Sequence, residues 1–134
     1  MNFLYQKETY ITFQLGDAAG IVFFGHVFSL AHEVYELFVQ QKLNIRWEKW
    51  FNHPEWIIPI KYTQASYHFS LKVGSTYLIG LNIKKIGTTS FILNYSFMQN
   101  ERLFCEIETV HVFCNRQTLQ KQPIPSFVLE KFTW

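Results

Sequence analysis

Val27-Phe28-Ser29-Leu30-Ala31-His32-Glu33-Val34-Tyr35-Glu36-Leu37-Phe38 is the stretch that decides the fold class. Val27, Leu30, Ala31, Val34, Leu37 and Phe38 recur at offsets 0, 3, 4, 7, 10 and 11, which is one face of a helix. His26, Ser29, Glu33, Glu36 and Gln40 keep the same rhythm on another face. The pattern predicts one long helix over about residues 25–42. Upstream, residues 3–14 are rich in Tyr, Ile, Thr and Phe and read as a first strand. Leu15 to Gly20 reads as a loop. Downstream, residues 44–56 read as irregular or briefly helical, and then the period falls to two. Tyr77, Ile79, Leu81 and Ile83 alternate with Leu78, Gly80, Asn82 and Lys84, and Phe91, Leu93, Tyr95 and Phe97 repeat the pattern. Turns at Gly74-Ser75, Gly87-Thr88-Thr89 and Asn100-Glu101 separate the strands, the last of them over 102–114. Pro123 and Pro125 precede a short terminal helix. Short links imply antiparallel pairing. The expectation is an α+β domain, one long helix wrapped by a curved antiparallel sheet of about five strands.

The chain has 134 residues. At roughly 150 residues per domain it is read as one domain over 1–134. Aromatics make up 19% and charged residues 16%, which excludes a disordered chain. A net charge of +2 is too small for a protein that lives on phosphate neutralisation, so no nucleic-acid partner is expected. The most apolar window, Ile21 to Val39, carries His26, His32, Glu33 and Glu36, so no membrane span is expected. The opening, Met1-Asn2-Phe3-Leu4-Tyr5-Gln6-Lys7-Glu8, lacks the order of a signal peptide, and the expected compartment is the cytoplasm. Cys105 and Cys114 fall on one predicted strand, too far apart to bridge, and are read as reduced thiols. The five histidines form no metal spacing, so no metal site is expected.

One segment stands out: Gly16-Asp17-Ala18-Ala19-Gly20-Ile21-Val22-Phe23-Phe24-Gly25-His26. A lone carboxylate sits among small residues that admit a ligand closely, and an apolar run behind it keeps water away. Both favour a reactive carboxylate at Asp17. The helix that starts near Phe24 to His26 has free amides and partial positive charge at its first turn, suited to polarising a carbonyl.

Asp17-Ala18-Ala19-Gly20-Ile21-Val22-Phe23-Phe24, followed by the helix from His26, resembles the signature of hot-dog fold acyl-CoA thioesterases of the 4-hydroxybenzoyl-CoA thioesterase branch. The likeness extends over about residues 5–132. It takes in Ile58-Pro59-Ile60, Ala65-Ser66-Tyr67-His68-Phe69, Val73-Gly74-Ser75, Lys84, Thr89-Ser90-Phe91 and Pro123-Ile124-Pro125. Within the branch, Ala18-Ala19 and His32-Glu33-Val34-Tyr35-Glu36 look most like the 1,4-dihydroxy-2-naphthoyl-CoA hydrolases. Two positions depart from the family pattern. Leu15 replaces a second acidic residue, and Gly74-Ser75 replaces a Gly-Asp turn.

The resemblance implies hydrolysis of an acyl-CoA thioester, with an aromatic acyl group preferred and no cofactor beyond the CoA of the substrate. Asp17 would be nucleophile or general base. The Phe24 amide, with Gly25 beside it, would polarise the carbonyl. His26 and Glu33 would reach the pocket from the polar stripe, with His32 turned away by about 100°. Thr89 and Ser90 would approach the CoA arm, and Lys84, Lys85 and Arg116 its phosphates. Trp47, Trp50 and Trp56 would line the acyl pocket, or pack at its rim or between subunits. The family builds its sites between subunits, which implies a homodimer or homotetramer. Two rivals share the fold: an acyl-thioester hydratase or dehydratase, in which His26 would outrank Asp17, and a non-catalytic acyl-CoA-binding module.

Overall fold

The computed structural model describes residues 2–134, and Met1 lies outside it. The chain opens with β1 (Tyr5–Tyr10) and a 3-10 turn at Phe13–Leu15. Helix α1 (His26–Leu37) continues as five π-helical residues, Phe38–Lys42. Then follow α2 (Trp47–Trp50), β2 (Trp56–Ile57), β3 (Ile60–Tyr67), β4 (Thr76–Ile86), β5 (Ser90–Gln99), β6 (Arg102–Val112), β7 (Cys114–Asn115) and α3 (Ser126–Lys131). Five strands form one antiparallel sheet in the order β1-β4-β5-β6-β3, and β2 pairs with β7 beside it. Register shifts at Ile60/Tyr62, Ile83/Lys85 and Phe97/Met98 bend the sheet around α1. This is the α+β architecture expected from the two periodicities.

The apolar stripe of α1 is buried at Val27, Leu30, Ala31, Val34 and Tyr35. It meets alternate residues of the strands: Tyr77, Ile79 and Leu81 of β4, Leu93 and Tyr95 of β5, Ile107 of β6. The π-helical turn carries Phe38 and Val39 into the same core, and the Leu43 amide closes it by donating to the Phe38 carbonyl at 3.1 Å. Asn44, at φ 57°, ends the rod. Gly80 is required by a close approach, because a Cβ there would lie 2.2 Å from the Phe3 ring that covers the outer face.

Three boundaries differ from the sequence reading. β1 stops at Tyr10, not near residue 14, because the chain must leave the sheet to form the loop that carries Asp17. Leu15 belongs to the 3-10 turn, so that loop starts one residue later than predicted. β6 stops at Val112, and Cys114 starts β7 instead of sharing a strand with Cys105. Both cysteines are buried and free.

The core holds one titratable imidazole. His111 is fully buried, its ring parallel to Phe91 at 4.7 Å and tilted against Tyr35 at 4.6 Å. Burial, with the nearby His32, pushes its pKa from the ordinary 6.5 down to about 3. The unfolded chain therefore takes up a proton that the folded chain refuses. The stability that neutral His111 contributes is complete above about pH 6.5 and is lost as pH falls toward about 3. In urea titrations across that window, wild type is expected to lose stability with a slope steeper than that of His111→Phe by up to about 1.4 kcal/mol per pH unit. Parallel slopes would mean that His111 is protonated in the fold.

Candidate active site

Asp17 sits in a tight hairpin made by its own carboxylate and backbone. The Asp17 amide donates to the Ile21 carbonyl at 2.9 Å, and the Gly20 amide donates to the Asp17 carbonyl at 3.0 Å. Asp17 Oδ1 accepts from the Ala19 amide at 2.8 Å and the Ile21 amide at 3.3 Å. This is an Asx-type turn, which explains the small residues after Asp17 and the positive φ of 76° at Gly20. The hairpin is clamped to the chain before β4: Val22 donates to Leu71 at 2.8 Å and Val73 to Gly20 at 3.0 Å. Gly16 is pressed against the Val73 side chain, where a Cβ would lie 2.3 Å from a methyl. Oδ1 is thus spent on the turn, and Oδ2 has no partner among the described residues.

Helix α1 begins directly after this hairpin, with Gly25 as its N-cap in helical conformation. The Phe24 and Gly25 amides have no acceptor among the described residues. The Phe24 carbonyl, by contrast, accepts the Tyr67 hydroxyl at 2.6 Å, which ties the helix start to the end of β3. Beside it opens a cavity of about 500 Å³, walled by Ile21, Phe24 and Val27 on one side and Tyr67, His68 and Leu71 on the other. A carboxylate oxygen, two free amides and an apolar cavity are the parts an acyl-transfer site requires.

The other predicted residues disperse. His26 is half-buried at the first turn, its ring against Phe23 at 5.6 Å. Glu33 turns toward β1 and pairs with Lys7 at 2.7 Å, so the chain does not bring it to Asp17. Thr89 and Ser90 lie at the opposite end of the sheet, where the Thr89 carbonyl accepts the Phe113 amide at 2.8 Å. Lys84 is ion-paired to Glu108 on the outer face. Arg116 donates from Nε to the His53 carbonyl at 2.7 Å. Lys85 is exposed and has no ion-pair partner among the described residues. Trp50 and Trp56 are core residues, while Trp47 is tied to Glu36 at 2.9 Å.

Other residues the sequence reading did not place at the site stand beside it. Tyr67 holds the helix start. His32, Thr63, Tyr95 and Thr109 line a second cavity of about 290 Å³ between α1 and β3. Thr109 and Tyr95 are inward positions of alternating strands that carry a polar atom, which was their only signal in the sequence. The expected exclusion of water at Asp17 is not achieved by one chain: Asp17, Phe23 and Phe24 are all exposed. They lie on the open side of the molecule, next to β3, whose residues are exposed nearly throughout. Among the described residues no group of three His, Cys, Asp or Glu side chains stands close enough to hold a metal, and no helix is long and apolar enough to cross a membrane.

Comparison with known proteins adds three findings. Residues 11–132 match the model of the thioesterase-like superfamily. The 1,4-dihydroxy-2-naphthoyl-CoA hydrolase of Synechococcus elongatus is 30% identical over 122 residues, 90% of this chain and 89% of that one. The enzyme of the same name from Nostoc punctiforme is 29% identical over 130 residues, 97% of this chain and 86% of that one. Among solved structures, a 1,4-dihydroxy-2-naphthoyl-CoA thioesterase from Synechocystis superposes with a TM-score of 0.87 at 20% identity, over 96% of this chain and 94% of that one. A gentisyl-coenzyme A thioesterase gives 0.83 at 23% identity, over 96% of this chain and 99% of that one. These superpositions establish the hot-dog fold.

Proposed function

We propose, because the chain belongs to the thioesterase-like superfamily, that it hydrolyses an aryl acyl-CoA thioester to a carboxylic acid and free coenzyme A. The observation that carries this reading is a carboxylate, Asp17, with its Oδ2 free, seven residues ahead of the unpartnered amides of Phe24 and Gly25 at the start of α1. The thioester carbonyl oxygen takes up those amides, and the charge that develops on it is met by the helix N-terminus. Asp17 then acts in one of two ways. Oδ2 attacks the carbonyl carbon, expelling the CoA thiolate and leaving a mixed anhydride that water opens. Alternatively, Oδ2 takes a proton from the water that attacks. Either route consumes one water and needs no cofactor. The aryl preference follows the named substrates of the relatives.

Two copies pair through their β3 edges in this reading. An exposed edge strand offers unpaired backbone groups along its length. A two-fold axis pairs such edges antiparallel. The Tyr67 end of one β3, next to its own Asp17, then meets the Ile60 end of the other. That end carries Thr89, Ser90 and Lys85, so the CoA arm of one site lies against the second copy, with Lys85 free for a phosphate. Pairing also covers Phe23 and Phe24. Light scattering is expected to give a mass of two or four chains at micromolar concentration, and a single-chain mass would remove this part of the reading. Two buried, unbridged cysteines suit a reducing compartment, and we place the protein in the cytoplasm.

The direct test is thiol release from benzoyl-CoA, hydroxynaphthoyl-CoA and short and long aliphatic acyl-CoAs. Turnover that favours the aryl esters is expected. Interconversion of enoyl- and hydroxyacyl-thioesters without free thiol would point to a hydratase instead, and saturable binding without turnover to a binding module.

A further inference from the structure

Beyond the carbonyl end of the site lies a buried polar string that hydrolysis itself does not use. On the helix-facing side of β5 and β6, Thr109 Oγ1 lies 2.7 Å from His111 Nε2 and donates to the Tyr95 hydroxyl at 3.4 Å. His111 Nδ1 is buried without a partner. The network assigns the imidazole hydrogen to Nε2, because the other tautomer would bury an N–H donor with no acceptor, which costs more than a bare lone pair. Nε2–H then donates to Thr109, and Thr109 gives its own hydrogen to the Tyr95 hydroxyl. Phe91 and Tyr35 grip the ring, so the direction of that donation is fixed. Burial holds the Tyr95 phenol well above its ordinary range, so it too remains a donor.

Both hydroxyl residues wall the second cavity, facing Ala31, His32 and Thr63. Phe24 and Val27 line the first cavity, and Phe28 and Ala31 the second. Val27, Phe28 and Ala31 share one stripe of α1, and Phe24 lies just ahead of its first turn. The cavities therefore lie end to end along the helix. From His26 to Ala31 the helix rises about 8 Å, and the turn at Phe24 adds to it, which leaves room for an aryl group behind a carbonyl held at Phe24. Apolar walls would serve an unsubstituted ring equally well. One oriented donor at the far end, the Tyr95 hydroxyl, serves an oxygen on that ring and is left unpaired when it is missing.

Resting on the thioesterase reading above, we propose that Tyr95, Thr109 and His111 are the specificity element of the acyl trough. Tyr95 donates to an oxygen substituent on the far edge of the aryl group, and Thr109 and His111 are the positioning residues that orient its hydroxyl.

The test compares hydroxynaphthoyl-CoA with naphthoyl-CoA by kcat/KM. It also compares their thioether analogues, in which a methylene replaces the carbonyl, by Kd. Wild type is expected to favour the hydroxylated member of each pair by about tenfold, and Tyr95→Phe to bring the ratio within about twofold. Thr109→Ser, which keeps the hydroxyl, should retain most of the preference. If Tyr95→Phe does not fold, Thr109→Val is read on the same ratios. A preference unchanged by removal of the hydroxyl, in turnover and in binding, overturns the proposal. A binding ratio that collapses as expected in a protein with no turnover supports the subsite and overturns hydrolysis. Failure to bind either analogue, together with absence of turnover, overturns both.

Discussion

Asp17→Asn is expected to lower kcat on the best aryl thioester by at least about a hundredfold, roughly 2.7 kcal/mol of barrier. The substitution is unusually clean here. Asn keeps an oxygen in the place of Oδ1, so the Ala19 and Ile21 amides keep their acceptor and the hairpin keeps its shape. What changes is the other atom: Oδ2, free to attack or to take a proton, becomes an amide nitrogen that can do neither. Substrate binding depends on the cavity walls and the Phe24 and Gly25 amides, so KM should move far less than kcat. Asp17→Ala is the contrasting variant. It removes the turn as well as the nucleophile, and it should lose thermal stability where Asn does not. If Asp17→Asn retains activity within a few fold, Asp17 is a turn residue and the catalytic assignment is wrong.

Trp50→Ala is expected to be the most damaging single truncation for the fold, at about 3–5 kcal/mol. For a domain of this size that is a fall in Tm of more than about 10 °C by differential scanning fluorimetry. Trp50 is 2% exposed and is ringed by Trp56, Phe91, Phe113 and Phe132, with centroids 6.0 to 6.4 Å away. Its Nε1–H donates to the buried Tyr35 hydroxyl at 2.6 Å. The truncation therefore opens a cavity and strands a phenol that burial holds strongly protonated. Trp50→Phe keeps most of the packing and loses only the hydrogen bond, so about 1 kcal/mol is expected for it. A Tm within a few degrees of wild type in the Ala variant would show that this end of the core is not the keystone its packing implies.

Much of the fold was legible because α1 and strands β4 to β6 each bury one face within the chain. The 3.6-residue stripe of Val27 to Phe38 and the alternation through Tyr77 and Phe91 report that burial directly. β3 carries no such pattern. Ile60-Lys61-Tyr62-Thr63-Gln64-Ala65-Ser66-Tyr67 is exposed nearly throughout, so apolar and polar residues follow no period. Asp17 stood out through its setting of small residues and, more strongly, through a family signature. Glu33 and Lys84 were read toward the site, but their partners, Lys7 and Glu108, lie 26 and 24 residues away in sequence; the packing of α1 against β1 brings the first pair together and the register of the sheet the second. Thr109 and His111 were invisible for a related reason. A polar residue at an inward position looks like an interruption of a strand until its neighbours across the sheet are known.

The two cysteines bear on how this protein is best assayed. Cys105 and Cys114 are 0% and 2% exposed, and burial, with Glu106 beside it, pushes the Cys105 thiol up to about 12. At neutral pH Cys105 offers a disulfide reagent almost no thiolate. A chromogenic disulfide added to the native protein therefore reads the coenzyme A set free over only a slow blank from the enzyme. The same reagent added without substrate becomes a clock. Its slow colour counts openings of the core, and in a destabilised variant such as Trp50→Ala that clock runs faster.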